Sequence, residues 1–246
     1  RSFFAALPEA GFAALDIILV CVAAGIVIGV LGISGLGFGL TLALVQIGEG
    51  SLALLLFLTA LVCIVLGMGL PTVGVYVLLA ALVAPSLVKV GITPIAAHLY
   101  VMYFGMMSMI TPPVAIAAFA AASVANADPM RSGWSSVAFG WTAFVVPVLF
   151  VLSPQLLLIG DFWAIALATL TAIAGVWLVS ISIAGYYVRP LSIGARFAFA
   201  TAGLLALIPG GAFPGAVYTD IVGTVAGAAL IARELLLARR HTAETN

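Results

Sequence analysis

The stretch that decides the fold runs from residue 67 to residue 113 and holds two short clusters, GMGLPT at 67–72 and SMITPP at 108–113. Each cluster lies inside an apolar segment that contains no Asp, Glu, Lys or Arg, at 50–88 and 92–125. As single helices these segments would be ~58 Å and ~51 Å long at ~1.5 Å per residue. The apolar core of a bilayer is only ~30 Å thick. Both segments must therefore break, and the clusters lie near their centres.

Proline explains why the helices break at these clusters. The prolines are Pro71, Pro112 and Pro113. Each lacks an N–H, and in a helix each would leave the carbonyl four residues earlier without its hydrogen-bond donor. The carbonyls concerned are those of Gly67, Ser108 and Met109. Unpartnered carbonyls at membrane depth are costly, so the sequence predicts that something binds them.

Hydroxyl oxygens stand beside these carbonyls, on Thr72, Ser108 and Thr111. In secondary transporters, oxygen atoms at the ends of half-helices near the bilayer midplane hold coupling ions and carboxylate substrates. The alternative is a pair of proline kinks that serve packing only, with Ser or Thr satisfying the backbone. Because two such breaks lie close together in the chain, we favour an ion- or substrate-binding site.

The composition is that of an integral membrane protein. Of the 246 residues, 65% are hydrophobic and only 7% are charged, against about 25% charged in a soluble domain. The apolar runs are continuous and not alternating, which predicts an all-α helical bundle. The formal net charge is zero, so nothing indicates nucleic-acid binding. Cys21 and Cys63 both lie in apolar segments and are interpreted as small core residues.

Before the first cluster, a mixed segment at 1–16 reads as a juxtamembrane helix or loop, and an apolar segment follows at 17–47. The second contains GISGLGFG at 32–39, whose small residues favour close helix packing. The alternative is a third unwound stretch around Ser34 and Gly35 that lines the site.

The first cluster predicts a re-entrant hairpin over 51–88, because its two halves of ~24 Å are short for full spans. The second predicts a discontinuous transmembrane helix over 92–125. After a polar loop at 126–135, in which Asp128 caps a helix that begins at Pro129, further apolar segments follow. They lie at 136–158, 162–185, 197–208 and 217–232, and 209–215 joins the last two.

His98 is the only titratable side chain in the central segments besides Tyr and Cys. It could carry a proton or hydrogen-bond across a helix interface, and we favour the second. No pair of catalytic groups accompanies it, so an intramembrane enzyme is not expected.

The arginines predict the topology. We assume that the hairpin enters and leaves the membrane on the same side and that every other apolar segment crosses it. All the arginines then lie on one side of the membrane. They are Arg1, Arg131, Arg189, Arg196, Arg233, Arg239 and Arg240. Lys89 falls on the other side with Glu49 and Asp161, so the positive-inside rule places the arginines and the C-terminus in the cytoplasm.

The ordered motifs of residues 67–131 resemble those of a known family. They are GMGLPT at 67–72, APSL at 84–87, AHLY at 97–100, YFG at 103–105, SMITPPVA at 108–115 and ADPM at 127–130. They are similar to the large membrane subunit of TRAP (tripartite ATP-independent periplasmic) transporters. VP at 146–147 and SP at 153–154 continue the match, and GYYVRPL at 185–191 resembles the C-terminal extension of the fused-permease branch.

The resemblance implies a function. The family imports organic carboxylates, including C4-dicarboxylates, across the bacterial or archaeal cytoplasmic membrane. A sodium gradient drives import by an elevator mechanism, and a periplasmic binding protein delivers the substrate. No cofactor other than the coupling ion is implied. The competing hypothesis is a structural or channel-like membrane subunit that transports nothing.

The resemblance also implies roles for individual residues. The family has two inverted repeats, and residues 51–88 and 92–125 look like the second hairpin and the second broken helix. Sodium would bind at Gly67, Thr72, Ser108 and Thr111. Gly69 and Met109 would lie beside it, with Pro71, Pro112 and Pro113 holding the site open.

The first repeat and the small-subunit region are absent from the sequence. We therefore expect the C-terminal half of a fused permease, a fragment that does not transport alone. Residues 1–160 would form its repeat, and residues 161–246 a transmembrane extension with a basic cytoplasmic tail.

Overall fold

A computed structural model describes residues 2–48, 50–210 and 216–244, and these ranges are helical without a β-strand. The predicted all-α membrane fold is confirmed. The helices are α1 (Ser2–Ser34), α2 (Leu36–Gly48), α3 (Leu52–Gly67), α4 (Thr72–Leu82), α5 (Ala84–Lys89), α6 (Pro94–Met107), α7 (Ile116–Val124), α8 (Pro129–Phe139), α9 (Thr142–Leu152), α10 (Phe162–Ala184), α11 (Ile193–Leu207) and α12 (Ala216–Glu244).

Some predictions fall on residues outside these ranges. Glu49 of the predicted turn, residues 211–215 of the predicted linker, and Arg1 are among them. The side chains of Cys21, Arg239 and Arg240 are also outside the description.

Three stretches of the described chain are long and apolar enough to cross a membrane. They are Thr72–Lys89, Pro129–Leu152 and Phe162–Ala184. A fourth is formed if Gly25–Ser34 and Leu36–Gly48, which meet at 72°, count as one bent span. Such a set of spans agrees with the predicted polytopic helical bundle.

The packing divides the chain into two units, Arg1–Val151 and Leu152–Asn246. This division is one of internal packing, whereas the predicted boundary at 160/161 separates a transporter repeat from an extension. That assignment stays a prediction.

The first unit is built around α6, which packs against α3, α4 and α5. Its Tyr100 is fully buried, and the phenol hydroxyl donates a 2.7 Å hydrogen bond to the carbonyl of Leu56 in α3. A phenol in an apolar interior needs such an acceptor, so this bond fixes α6 against α3.

The second unit is a three-helix packing of α10, α11 and α12 around Leu178, Ile181, Phe199 and Ala202. Small residues let the backbones approach closely. A Cβ added at Gly175 would lie 2.9 Å from the carbonyl oxygen of Gly203, and one added at Gly203 would lie 2.9 Å from that of Gly175.

The N-terminal region differs from the prediction. No boundary separates 1–16 from the apolar segment, because α1 runs through to Ser34. The chain does break at Gly35, whose φ of +72° is a conformation that glycine adopts without strain.

Only one described glycine of the 17–47 segment makes the close helix contact that the small residues predicted, namely Gly37, where an added Cβ would lie 3.1 Å from the side chain of Leu82. A Cβ added at Gly25, Gly29, Gly35 or Gly39 would meet nothing within 4 Å.

Two further breaks were not predicted. The segment 73–88 divides at Val83 because Pro85, in the first turn of α5, cannot continue the hydrogen bonding of α4. The segment 136–158 divides between α8 and α9, at Gly140 and Trp141.

The predicted helix start at Pro129 is confirmed, and the polar loop predicted over 126–135 is wrong only in its length, because α8 begins at Pro129. The predicted cap is confirmed, since the Asp128 carboxylate accepts a 2.7 Å bond from the Arg131 N–H.

Candidate ion- and substrate-binding site

The first break separates α3 from α4. Gly69 has a φ of +82°, which favours glycine, and Pro71 has extended backbone directly before Thr72. Within the described residues, the carbonyl of Gly67 accepts one long bond, 3.4 Å, from the N–H of Leu70. The weakened bonding expected at Gly67 is therefore present.

The second break separates α6 from α7 and extends over 108–115, two residues further than predicted. Pro112 and Pro113 are joined by a cis peptide bond. Ala115 ends the break with a φ of +32° and is fully buried. A left-handed conformation is unfavourable for a residue with a Cβ, so the surrounding packing holds the chain there.

The two carbonyls of the second break that proline leaves without a helical donor differ in their hydrogen bonding. The proline argument predicted that the carbonyl of Met109 lacks a hydrogen-bond donor. In the structure this carbonyl instead accepts a 3.0 Å bond from the N–H of Ala117. This N–H belongs to the first turn of α7, where amides lack helical partners. Within the described chain, no backbone N–H donates to the carbonyl of Ser108.

The fold brings the two breaks into direct contact. A Cβ added at Gly67 would lie 2.6 Å from the carbonyl oxygen of Gly105 and 3.0 Å from the hydroxyl oxygen of Ser108. On the other side of the first break, the Thr72 hydroxyl lies 3.8 Å from the sulfur of Met109. These contacts join residues 37 or more positions apart in the chain. We call the residues that make them the break cluster: Gly67, Thr72, Gly105, Ser108 and Met109.

The hydroxyl groups of the second break keep their oxygen lone pairs available. Ser108 donates to the carbonyl of Gly105 at 2.7 Å, and Thr111 donates to that of Met107 at 2.6 Å. Because each hydroxyl uses its single hydrogen in this way, its oxygen can still accept a hydrogen bond or coordinate a cation.

The cluster is partly open. Ser108 and Gly67 are buried, Thr72 and Thr111 are half-buried, and Gly69 is exposed. Pro71 and Pro113 are exposed as well, and Met109 and Pro112 are half-buried. Thr72 and Thr111 therefore reach the surface of the first unit, whereas Ser108 does not.

The donors of this cluster are neutral. In the part of the chain that the structure describes, no three His, Cys, Asp or Glu side chains come together as a metal site. Backbone carbonyls and hydroxyls at half-helix ends are the ligands that secondary transporters offer to monovalent coupling ions.

His98 lies away from the break cluster. Its Nδ1 is 3.1 Å from the hydroxyl oxygen of Tyr76, so it bonds across the interface of α6 and α4 as we favoured. Ser108 is ten residues further along the chain, or ~15 Å of helix.

Ser34 and Gly35 lie at the separate break between α1 and α2. A Cβ added at nearby Gly37 would lie 3.1 Å from the side chain of Leu82, at the end of α4 that is remote from Thr72. The chain is therefore interrupted between α1 and α2, but none of the contacts described for the break cluster involves Ser34 or Gly35.

Sequence reasoning missed Gly105. Its carbonyl touches both breaks, and a Cβ there would lie 2.6 Å from the side chains of Val75 and Leu79. The available signal was a glycine one helical turn before Ser108.

Broken helices whose oxygen-rich ends meet inside a polytopic helical membrane protein are a feature of secondary transporters. The chain belongs to the family described as tripartite ATP-independent periplasmic transporter, DctM component, whose family model matches residues 1–156. Searches of curated proteins and of solved structures each found no match. The protein is therefore a membrane component of a TRAP-type transporter.

Proposed function

We propose that this protein is the permease component of a sodium-coupled TRAP system that imports organic carboxylates. The observation that carries this proposal is the contact between the two breaks, at Gly67 with Gly105 and Ser108. Two interrupted helices that meet through backbone and hydroxyl oxygens supply the kind of ligands that a coupling ion would need.

The sodium ligands of this proposal are the carbonyl of Gly67 and the hydroxyls of Thr72, Ser108 and Thr111. The Gly67 carbonyl has one long hydrogen bond, and the Ser108 and Thr111 hydroxyl hydrogens are already committed to backbone carbonyls. Their oxygens can turn toward a cation without leaving a donor unsatisfied.

The carboxylate would bind beside the ion, at the N-terminal ends of α4 and α7. The first-turn amides of a helix and its dipole attract negative charge. The segments 50–88 and 92–125 contain no Lys or Arg that could take this role. A carboxylate next to bound sodium also neutralises its charge, which couples substrate binding to the ion.

The same proposal places a periplasmic binding protein on the outer face and the C-terminus in the cytoplasm. A first repeat and a small-subunit region would complete the two-fold site, and movement of the joined repeats would follow an elevator mechanism.

The test is the thermal stability of the purified protein in detergent, titrated with NaCl or KCl at constant ionic strength. A ligand that binds only the folded state stabilises it by RT ln(1 + [L]/Kd), or ~2.7 kcal/mol at a hundredfold excess over Kd. We expect a rise in Tm with sodium and none with potassium. Equal curves would contradict a sodium site in this chain.

Thr72→Val and Thr111→Val should each reduce the sodium-dependent rise in Tm while the protein stays folded, because valine keeps the shape and removes an oxygen. Thr169→Val is the matched control, since Thr169 also donates to the carbonyl four residues earlier but lies in α10. A full sodium response in both break variants would exclude ligation by these side chains.

A further inference from the structure

A carboxylate is buried in the second unit, outside the residues that the family model matches. Asp220 in α12 is only 7% exposed, and its Oδ1 has no hydrogen-bond partner. The break cluster is formed by residues 67–109 of the first unit, so it does not use this group. A buried carboxyl oxygen without a partner therefore needs its own explanation.

Asp220 faces the middle of a membrane-spanning helix. A Cβ added at Gly227 of α12 would contact the side chain of Leu178 in α10. Asp220 and Thr171 each lie seven residues before that contact, so Asp220 is level with Thr171, the tenth residue of α10 (Phe162–Ala184). The whole of α10 is ~34 Å long, and Thr171 lies ~14 Å from its first residue. The carboxyl group is therefore close to the centre of an apolar layer ~30 Å thick.

No described cation faces this group. The helix α10 has no ionisable side chain, and the only one in α11 is Arg196. The Arg196 guanidinium donates to the carbonyls of Ser182 and Ile183. Ser182 is eleven residues beyond Thr171, or ~16 Å along α10.

The other charged groups of the second unit are also remote from Asp220 in the chain. Arg233 and Glu234 lie at least thirteen residues further along α12, or ~20 Å of helix. Glu234 is bonded to Arg189 at 2.7 Å. Asp161 caps the first turn of α10, ten residues before Thr171, and Tyr218 is 75% exposed.

An ionised carboxylate is unfavourable in such a buried place, because no described cation lies near enough to compensate its charge. Binding a proton removes the charge. The acid then has one O–H to donate, and Thr171 offers an acceptor. The Thr171 hydroxyl already donates to the carbonyls of Leu167 and Ala168, at 3.1 and 3.3 Å, which leaves its lone pairs for Asp220.

We propose that Asp220 is a proton-binding site at membrane depth in the second unit, with Thr171 accepting the hydrogen bond of the protonated carboxyl group. In the part of the chain that the structure describes, one carboxyl and one hydroxyl are too few oxygens to replace the hydration shell of a metal ion, so the proton is the ligand that fits. The proposal does not depend on sodium binding in the first unit.

The test is modification of the intact protein, in detergent and in lipid vesicles, by an apolar carbodiimide. The protonated carboxyl gives its proton to a nitrogen of the reagent, while its oxygen bonds to the central carbon. The product rearranges to a stable acylurea, with no leaving group. Mass spectrometry would locate the added reagent.

We expect modification at Asp220 that increases as the pH falls and is absent in Asp220→Asn. Glu234→Gln is the matched control, because Glu234 is a second buried carboxylate of α12 that is paired with Arg189, and its removal should leave modification of Asp220 unchanged. Circular dichroism would establish that both variants keep their helix content.

Two results would overturn the proposal. The first is no modification at Asp220 at any pH at which the protein remains folded. The second is protection of Asp220 by NaCl, but not by KCl, at constant pH, which would assign the site to a sodium ion. Either result leaves the sodium titration of the first unit unaffected.

Discussion

At the scale of single residues, the candidate site depends on Gly67 having no side chain. The space that a Cβ would need is occupied by the Gly105 carbonyl oxygen, 2.6 Å away, and the Ser108 hydroxyl oxygen, 3.0 Å away. The first of these is a backbone atom, so it cannot rotate away as a side chain can. The contact between the breaks is therefore sensitive to one methyl group.

Gly67→Ala should lower the free energy of unfolding by about 1–3 kcal/mol, the usual range for overpacking, and should also weaken the response of Tm to sodium. Thermal unfolding in detergent, with and without NaCl, measures both effects. Gly39→Ala is the control, because it is also a helical glycine but a Cβ there meets nothing within 4 Å. A Gly67→Ala variant as stable as the Gly39→Ala variant would contradict the contact.

At the scale of helices, the positions of the breaks were predictable because proline and glycine act locally. The interruptions at 67–72 and 108–113 follow from missing N–H groups, and the first of them also from the positive φ of Gly69, whatever surrounds them. The hydrogen bond that the Met109 carbonyl accepts was not predictable in this way. Its partner, the N–H of Ala117, reaches it only because the chain turns at Ala115.

The difference between local effects and contacts of distant residues also explains the other features that the sequence did not predict. The start of α8 was predicted from Asp128 and Pro129, but the loop was extended to residue 135 because the polar residues that follow resemble a loop in composition. The contact of Gly67 with Gly105 depends on how α3 packs against α6, which no local pattern specifies. The ligand roles of Thr72, Ser108 and Thr111 stay predictions.

The cap of α8 offers a test at this scale. Asp128→Ala should destabilise the protein by ~1 kcal/mol, because the first-turn N–H of Arg131 loses its acceptor. Hydrogen exchange should be faster at Arg131 than in the parent chain. Asp128→Asn keeps an acceptor oxygen and should exchange at nearly the parent rate, so equally fast exchange in both variants would contradict the role of the cap.

At the scale of the whole molecule, the arginines mark one end of the second unit. Glu234 is 2.7 Å from Arg189 and 4.0 Å from Arg233. Arg196 donates to carbonyls in the last turn of α10. The predicted location of Arg189, Arg196 and Arg233 at the same end therefore agrees with the structure of this unit. The side of the membrane on which they lie stays a prediction.

Cysteine labelling would determine that side. In a chain whose two native cysteines are replaced by alanine, Lys89→Cys should react with a membrane-impermeant maleimide added to the outer face of the cytoplasmic membrane. Val188→Cys should react only when the membrane is permeabilised. Both positions are exposed, so access depends on topology and not on burial. The reverse pattern would contradict the positive-inside assignment.

The reciprocal approach of Gly175 and Gly203 also has a genetic consequence. Glycine and alanine codons differ only at their second base, so a single nucleotide change adds a methyl group at either position. That methyl would lie 2.9 Å from a carbonyl oxygen of the opposite helix. In a saturation-mutagenesis library selected for folded protein, alanine alleles at these two codons should be depleted, although the exchange counts as conservative on most substitution scales.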